Sequence, residues 1–265
     1  GGGGGPTPPP RRRIFWKVVR ERTMRGIFAR IAARLHEYER SHNFTCDVCG
    51  REVFSGERLC EACTRALPLI GTHCPVCGRA VREAGVCAAC KQRRPAADAV
   101  RSRFLYEGEA ARLVLRFKNG ERYLAFPLAQ FLVPLLSEFP GADALVPVPM
   151  AVRALRRRGY NQAELLAREL SALTGLPVLT AAEKRRETPP QKSLSRRERE
   201  KNLEGCFHVT DRKAVRGKKL IIVDDAYTTG ATVDVLAAVL RRAGAEKVYA
   251  VAVTSVRDKA PFGKK

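Results

Sequence analysis

Apolar and polar positions beyond residue 98 follow two alternating periods. Short apolar runs at Ser102–Tyr106, Ala144–Pro149, Lys219–Asp224 and Lys247–Thr254 read as strands. Between them, Glu109–Lys118, Arg122–Glu138, Asn161–Thr174 and Thr232–Ala243 carry apolar residues at helical spacing and predict amphipathic helices. Gly244 is placed to stop the last of these helices. Apolar strands alternating with such helices are the pattern of a parallel sheet covered on both faces. Residues 99–258 are therefore expected to form one α/β domain.

Upstream the pattern is different. Residues 46–90 are rich in cysteine and lack regular periodicity, and residues 91–98, with Pro95, read as a linker. Nearer the N-terminus, Ile27, Phe28, Ile31, Leu35 and Tyr38 recur at helical spacing. They predict a short amphipathic helix within residues 24–45 that packs on a neighbouring module. A helix lying on a membrane surface is the alternative, given its arginines. Residues 1–23, which open as a Gly/Pro/Arg tract, read as a disordered tail, and residues 259–265 as a second tail. Inside the α/β region, Lys184–Asn202 (KRRETPPQKSLSRREREKN) is too charged to be core.

Charge narrows the partners. The chain of 265 residues has 49 Lys and Arg against 27 Asp and Glu, a net charge of +22. That excess favours a polyanionic partner or a phosphorylated substrate, with a solvated basic surface as the plain alternative. The charge-free run Tyr123–Ser137 is too short for a membrane span and contains Pro127 and Pro134. Lys17 interrupts the apolar run after Arg11–Arg13, so no secretory signal is expected and the cytoplasm is the expected location. There, thiols stay reduced, and paired cysteines point to metal rather than disulfides.

Eight of the nine cysteines fall into four C-x-x-C pairs: Cys46/Cys49, Cys60/Cys63, Cys74/Cys77 and Cys87/Cys90. Two intervening residues let both sulfurs reach one tetrahedral ion from a tight turn, and two such turns complete a four-thiolate site. The pairs repeat at an interval of 27 or 28 residues, and Gly50 and Gly78 follow the first pair of each unit. Neighbouring pairs are expected to share an ion: Cys46, Cys49, Cys60 and Cys63 on one zinc, and Cys74, Cys77, Cys87 and Cys90 on another. An interleaved pairing is the alternative. With four thiolates each and no open position, both zincs are expected to be structural. His73 adjoins Cys74 as a bystander, and Cys206 reads as a small core residue.

The densest chemistry lies in LIIVDDAYTTGAT, residues 220–232. A strand ending in Asp224 and Asp225 places two carboxylates at the carboxyl edge of a parallel sheet, where open α/β folds bind ligands. Thr228, Thr229, Gly230, Ala231 and Thr232 then form the turn into the next helix. Its backbone N–H groups and threonine hydroxyls suit a phosphate monoester, and Gly230 permits close approach. The carboxylates would repel phosphate but suit sugar hydroxyls. The two parts together fit a ribose 5-phosphate. No Walker G-K-[ST] and no G-x-G-x-x-G is present.

IIVDDAYTTGAT at 221–232 resembles the phosphoribosyl-pyrophosphate (PRPP) motif of type I phosphoribosyltransferases. The wider pattern is similar to the ComF family of competence-associated proteins. It comprises the C-x-x-C module, LVPVPM at 145–150, RRRGYNQAELLA at 156–167 and TPPQKSLSRREREKN at 188–202. Ala226 stands where that family often has valine, and LRFKNG at 115–120 matches only loosely, so no role follows for Lys118.

The resemblance implies a type I phosphoribosyltransferase fold with a small N-terminal zinc-ribbon module of two four-cysteine sites. It implies PRPP as ligand and Mg²⁺ as cofactor, with Asp224 and Asp225 holding the ribose and stabilising the charge of a ribosyl cation. A pyrophosphate loop would follow the strand Ala144–Val148, with Pro147, Val148 and Arg153 as contacts, and Arg156, Arg157 and Arg158 close behind. The 184–202 segment would take the place of a mobile loop, carrying Arg196, Arg197 and Arg199. The family also implies natural transformation as context, with single-stranded DNA and a competence helicase as partners. A DNA-binding reading needs aromatic platforms beside the basic runs, for which Tyr160 and Phe207 are the candidates. A third reading is a PRPP-sensing regulator without turnover. The acceptor is not specified.

Overall fold

The computed structural model describes residues 44–54, 57–186, 203 and 205–258. Residues 24–43 of the expected helical segment and both tails lie outside these residues, and Thr45 at its end bridges to Glu52 instead. The chain divides into two compact units, residues 1–60 and 61–265.

In the first unit, the chain around Cys46 forms a knuckle. Cys46 N donates to Arg51 O at 2.7 Å and Gly50 N to Cys46 O at 2.8 Å. Gly50 takes a φ of +70°, a left-handed conformation that glycine adopts without a Cβ penalty. Arg58 holds the nearly buried Asp47 with two parallel bonds, Nε to Oδ2 at 2.8 Å and an Nη to Oδ1 at 3.1 Å.

The second unit opens with helix α1 (Glu61–Ala66) and then repeats the knuckle: Cys74 N donates to Arg79 O and Gly78 N to Cys74 O, both at 2.9 Å. This is the hydrogen-bond counterpart of the 28-residue repeat in the sequence. After α2 (Ala88–Gln92), the elements follow as β1 (Ala99–Leu105), α3 (Gly108–Lys118), a 3-10 turn (Arg122–Leu124), α4 (Ala125–Leu136), β2 (Ala144–Pro147), α5 (Val152–Arg158) and α6 (Gln162–Thr174). Then come β3 (Ala182–Lys184), β4 (Phe207–Val209), α7 (Arg212–Val215), β5 (Lys219–Tyr227), α8 (Ala231–Arg242) and β6 (Lys247–Ser255).

The main sheet has the order β1-β6-β5-β2 and every pair is parallel. Beyond β2, residues 177–179 add a short parallel contact, with Leu145 N bonded to Pro177 O at 2.9 Å and Leu179 N to Leu145 O at 2.8 Å. β3 and β4 form a separate antiparallel pair. The central strands are buried on both faces: Leu220, Ile221, Ile222 and Val223 are all fully buried. Truncating Ile222 to alanine there would cost about 2–5 kcal/mol.

The cysteine-rich stretch of this unit is continuous with the same core. Cys74, Val76, Cys77, Cys87 and Cys90 pack in one apolar cluster with Val100, Leu236 and Leu240.

The structure corrects the expected boundaries for physical reasons. The third expected strand ends at Asp224 in the sequence reading but runs to Tyr227, because β6 offers ladder partners as far as Ser255. The acids therefore sit two and three residues before the strand's last residue rather than at its very end. The helix expected from Arg122 begins at Ala125 instead. Pro127 is tolerated in a first turn but would clash with the Tyr123 carbonyl in a longer helix. Helix α5 has no counterpart among the expected elements; it buries no side chain, so it leaves no apolar stripe to read.

Candidate functional site

The acid pair stands at the carboxyl end of β5, in the middle of the sheet. Asp225 N donates to Asp224 Oδ1 at 2.9 Å, and Thr254 on β6 donates to the Asp225 carbonyl at 3.3 Å. The last residue of α3, Lys118, brings its Nζ to 3.2 Å from Asp225 Oδ1. Burial and the neighbouring Asp225 charge push the Asp224 carboxyl up to about 7. Burial works against the Lys118 ammonium, but the charges of Asp225 and Asp224 outweigh it and hold its pKa above the ordinary lysine value.

Above these groups lies a cavity of about 310 Å³. Asp224 and Asp225 line one side, and Lys118, Arg157, Arg158 and Lys184 supply four cations around it. The backbone from Val148 to Ala151, which leaves the end of β2, and Asn161 at the start of α6 complete the wall. Two carboxylates facing four cations suit a ligand with hydroxyls at one part and several anionic groups at another.

Two side chains hold this wall together. Asn161 caps α6 by accepting from Ala163 N at 3.1 Å, and its Nδ2 donates to Val148 O at 3.0 Å. Its role as a cap and its place at the cavity are thus one arrangement. Tyr160 donates its hydroxyl to the Phe117 carbonyl and accepts from Gly120 N at 3.1 Å. That ties the end of α3, and with it Lys118, to the loop before α6. The Arg122 guanidinium stacks 4.7 Å from the Tyr160 ring centre.

The expected site residues divide as follows. Asp224, Asp225 and Val148 meet at the cavity. Pro147 ends β2, where it pairs with Val223. Arg153 is exposed on α5 and is not among the lining residues, whereas Arg157 and Arg158 one turn further are. Thr228–Thr232 form the turn from β5 into α8, with Thr228, Thr229 and Thr232 half-buried and Gly230 at a φ of +86° as the helix cap. Arg196, Arg197 and Arg199 lie outside the described residues.

Tyr160 and Phe207 are each 5% exposed, so neither offers a face for a nucleobase. Both are held by the core instead, Tyr160 through its hydrogen bonds to α3 and Phe207 through the β3–β4 pair. Lys118 lines the cavity although no role was expected for it, and Lys184, expected to open the mobile 184–202 segment, ends β3 and lines the cavity too. Their signal was weak: each is one more cation in a very basic chain.

The cysteines fall into two groups, Cys46, Cys49, Cys60, Cys63 and Cys74, Cys77, Cys87, Cys90, with the sulfurs of each group within 4.8 Å of one another. This is the sequential pairing, not the interleaved one. A tetrahedral zinc with bonds near 2.3 Å sets sulfurs about 3.8 Å apart. Cys49 and Cys60 are at 3.8 Å and Cys77 and Cys87 at 3.5 Å, so the donor sets fit the ion. Cys87 N donates to Cys74 Sγ at 3.4 Å, a contact that favours the thiolate. His73 bonds instead to Gly71 O at 2.9 Å and belongs to neither group. Cys206 is fully buried beside β4 and accepts from Arg186 Nε at 3.1 Å.

Comparison with known proteins agrees with both parts. A phosphoribosyl transferase domain model matches residues 148–263, and a double zinc ribbon domain model matches residues 43–91. Competence protein F of Haemophilus influenzae is 29% identical over 217 residues, covering 78% of this chain and 94% of that protein. Competence protein ComFC of Bacillus subtilis is 30% identical over 215 residues, covering 76% and 86%. DNA utilization protein YhgH of Escherichia coli K12 is 32% identical over 211 residues, covering 77% and 86%. Among solved structures, the glutamine PRPP amidotransferase of B. subtilis matches 49% of this chain and 26% of its own, at 21% identity and a TM-score of 0.34.

Proposed function

Because the chain belongs to the ComF family of competence proteins and carries a phosphoribosyltransferase fold beside a double zinc ribbon, we propose that it binds PRPP and transfers its phosphoribosyl group to an acceptor during DNA uptake. One observation carries this reading: the adjacent carboxylates of Asp224 and Asp225 line the same cavity as four cationic side chains, at the carboxyl edge of the parallel sheet.

In this reading the acids accept hydrogen bonds from the ribose 2- and 3-hydroxyls. Thr228–Thr232 receive the 5-phosphate on the N-terminus of α8. Arg157, Arg158 and Lys184 face the pyrophosphate. The bond from C1 to the pyrophosphate oxygen breaks, and pyrophosphate leaves with the electron pair. A new bond forms from C1 to the acceptor atom, which gives up its proton. Asp224 and Asp225 stabilise the positive charge that develops on the sugar ring. Mg²⁺, for which the acid pair offers hard oxygen donors, would neutralise charge on the departing pyrophosphate.

The test is PRPP binding and Mg²⁺-dependent pyrophosphate release by the full chain. Asp224→Asn combined with Asp225→Asn is expected to abolish both. Unchanged PRPP affinity in that double variant would sink the proposal.

A second reading, binding of single-stranded DNA, has support in the exposed Arg153 and Arg156 on α5 and the net charge of +22. It predicts retention of an oligonucleotide that falls steeply with salt and is indifferent to the acid pair.

A further inference from the structure

The second ribbon reaches the turn that follows the acid pair. Arg79 closes the Cys74–Arg79 knuckle, its carbonyl accepting from Cys74 N at 2.9 Å. The same turn presents two of the four sulfurs. The knuckle is seated hard against β1: a Cβ added to Gly78 would lie 2.4 Å from Val100 O, and Val100 N donates to Val76 O at 3.0 Å. From this root the Arg79 side chain, more than nine-tenths buried, donates an Nη to the Thr228 carbonyl at 2.5 Å. Its guanidinium lies 5.2 Å from the centre of the Tyr227 ring. Tyr227 in turn packs against the bend, since a Cβ on Gly230 would meet Tyr227 Oη at 2.4 Å.

This contact has two consequences for the turn. In a trans peptide the C=O and the following N–H point in opposite directions. With the Thr228 carbonyl held toward Arg79, the Thr229 N–H is directed away from it. Released, that carbonyl could swing toward an incoming phosphate and repel it. The guanidinium also places a permanent positive charge behind the turn, in surroundings that screen it weakly. Arg79 Nε is buried with no partner among the described residues. A buried donor left unpaired is costly, so packing alone is a poor reason for arginine at this position.

We propose that Arg79 is a positioning residue for the Thr228–Thr232 turn, through which the metal-loaded second ribbon sets affinity for the phosphate end of a phosphoribosyl ligand. The proposal rests on the PRPP-binding reading above.

The experiment titrates the zinc-loaded full chain, by calorimetry, with ribose 5-phosphate and separately with pyrophosphate and Mg²⁺. Arg79→Gln is expected to weaken ribose 5-phosphate about tenfold. Pyrophosphate affinity and two zincs per chain should be retained, which a general loss of structure would not allow. Should that variant fail to fold, Arg79→Lys keeps the charge but lacks the planar fork, and a loss of several-fold for ribose 5-phosphate alone is expected. Equal affinities in wild type and variant, or equal losses for both ligands, overturn the proposal. A wild-type chain that binds neither ligand overturns the PRPP reading itself, which is a different result.

Discussion

Lys118 and Asp225 form an ion pair across the floor of the cavity, Nζ to Oδ1 at 3.2 Å, between the end of α3 and the end of β5. The pair is mostly withdrawn from water, with side-chain exposures of 28% and 11%. Its lysine offsets the charge of two adjacent carboxylates that the sheet holds together.

Removing that cation should therefore destabilise the empty protein more than a surface substitution would. Lys118→Met is expected to cost about 2 kcal/mol near pH 8, less than a fully buried pair because the lysine keeps some solvent contact. In a unit of this size that is a melting shift of roughly 4–8 °C. The deficit should shrink as pH falls through the Asp224 titration, since a protonated carboxyl no longer needs the lysine. A shift independent of pH would mean that Lys118 acts through packing alone.

Asp224 gives a second pH signature. Its folded-state pKa is raised to about 7, from an ordinary value of 3.8, so between these values the folded chain holds a proton the unfolded chain has released. Stability from this group is therefore present at low pH and is lost as pH rises toward 7. Asp224→Asn removes the titration. Its melting temperature should match the wild type near pH 4 and exceed it by a margin that widens up to pH 7 and then levels. Circular dichroism melts across that range check the sign.

Much of this was legible in the sequence because it is local. Four C-x-x-C pairs announce their metal geometry within a few residues, and the apolar strands of the sheet announce themselves by their runs. Asp224 and Asp225 could be placed at the sheet edge from the strand and turn around them. Lys118 could not, because its partner lies far along the chain and only the folded sheet, in the parallel order β1-β6-β5-β2, brings the end of α3 to the end of β5. Arg79 was silent for the same reason: nothing near it in sequence speaks of Thr228. Helix α5 gave no pattern because it buries none of its side chains.

The two cysteine groups should differ in how they hold metal. The group in the second unit is buried throughout, while Cys49 is exposed and Cys63 half-buried in the other. Burial pushes the Cys90 thiol up to about 12 and Cys77 well above its ordinary value, so stripping zinc leaves these two as buried protonated thiols. A chromophoric chelator should release two zincs per chain in two phases, the first from Cys46, Cys49, Cys60 and Cys63. Cys49→Ser should remove the fast phase and leave the sheet folded. Cys77→Ser should lower the melting temperature of the whole second unit. Release in a single phase, unaffected by Cys49→Ser, would contradict the assignment.

Gly230 links the backbone of the turn to ligand affinity most directly. Its φ of +86° is a left-handed conformation, which costs an L-residue roughly 1–2 kcal/mol. The added Cβ would also lie 2.4 Å from Tyr227 Oη and 2.7 Å from its ring, so the tyrosine must move as well. Gly230→Ala should therefore lower stability by a few degrees and reshape the turn. Because Tyr227 also stacks on Arg79, the disturbance should reach the Thr228 carbonyl. Affinity for ribose 5-phosphate is expected to fall at least about tenfold, a loss of 1.4 kcal/mol or more. Tyr227→Phe removes only the hydroxyl nearest that Cβ. In the Gly230→Ala background it should recover part of the melting temperature, because the closest overlap is relieved, but not the strain of φ. Full recovery of ligand affinity in that double variant would show that the overlap, and not the left-handed backbone, is what the glycine avoids.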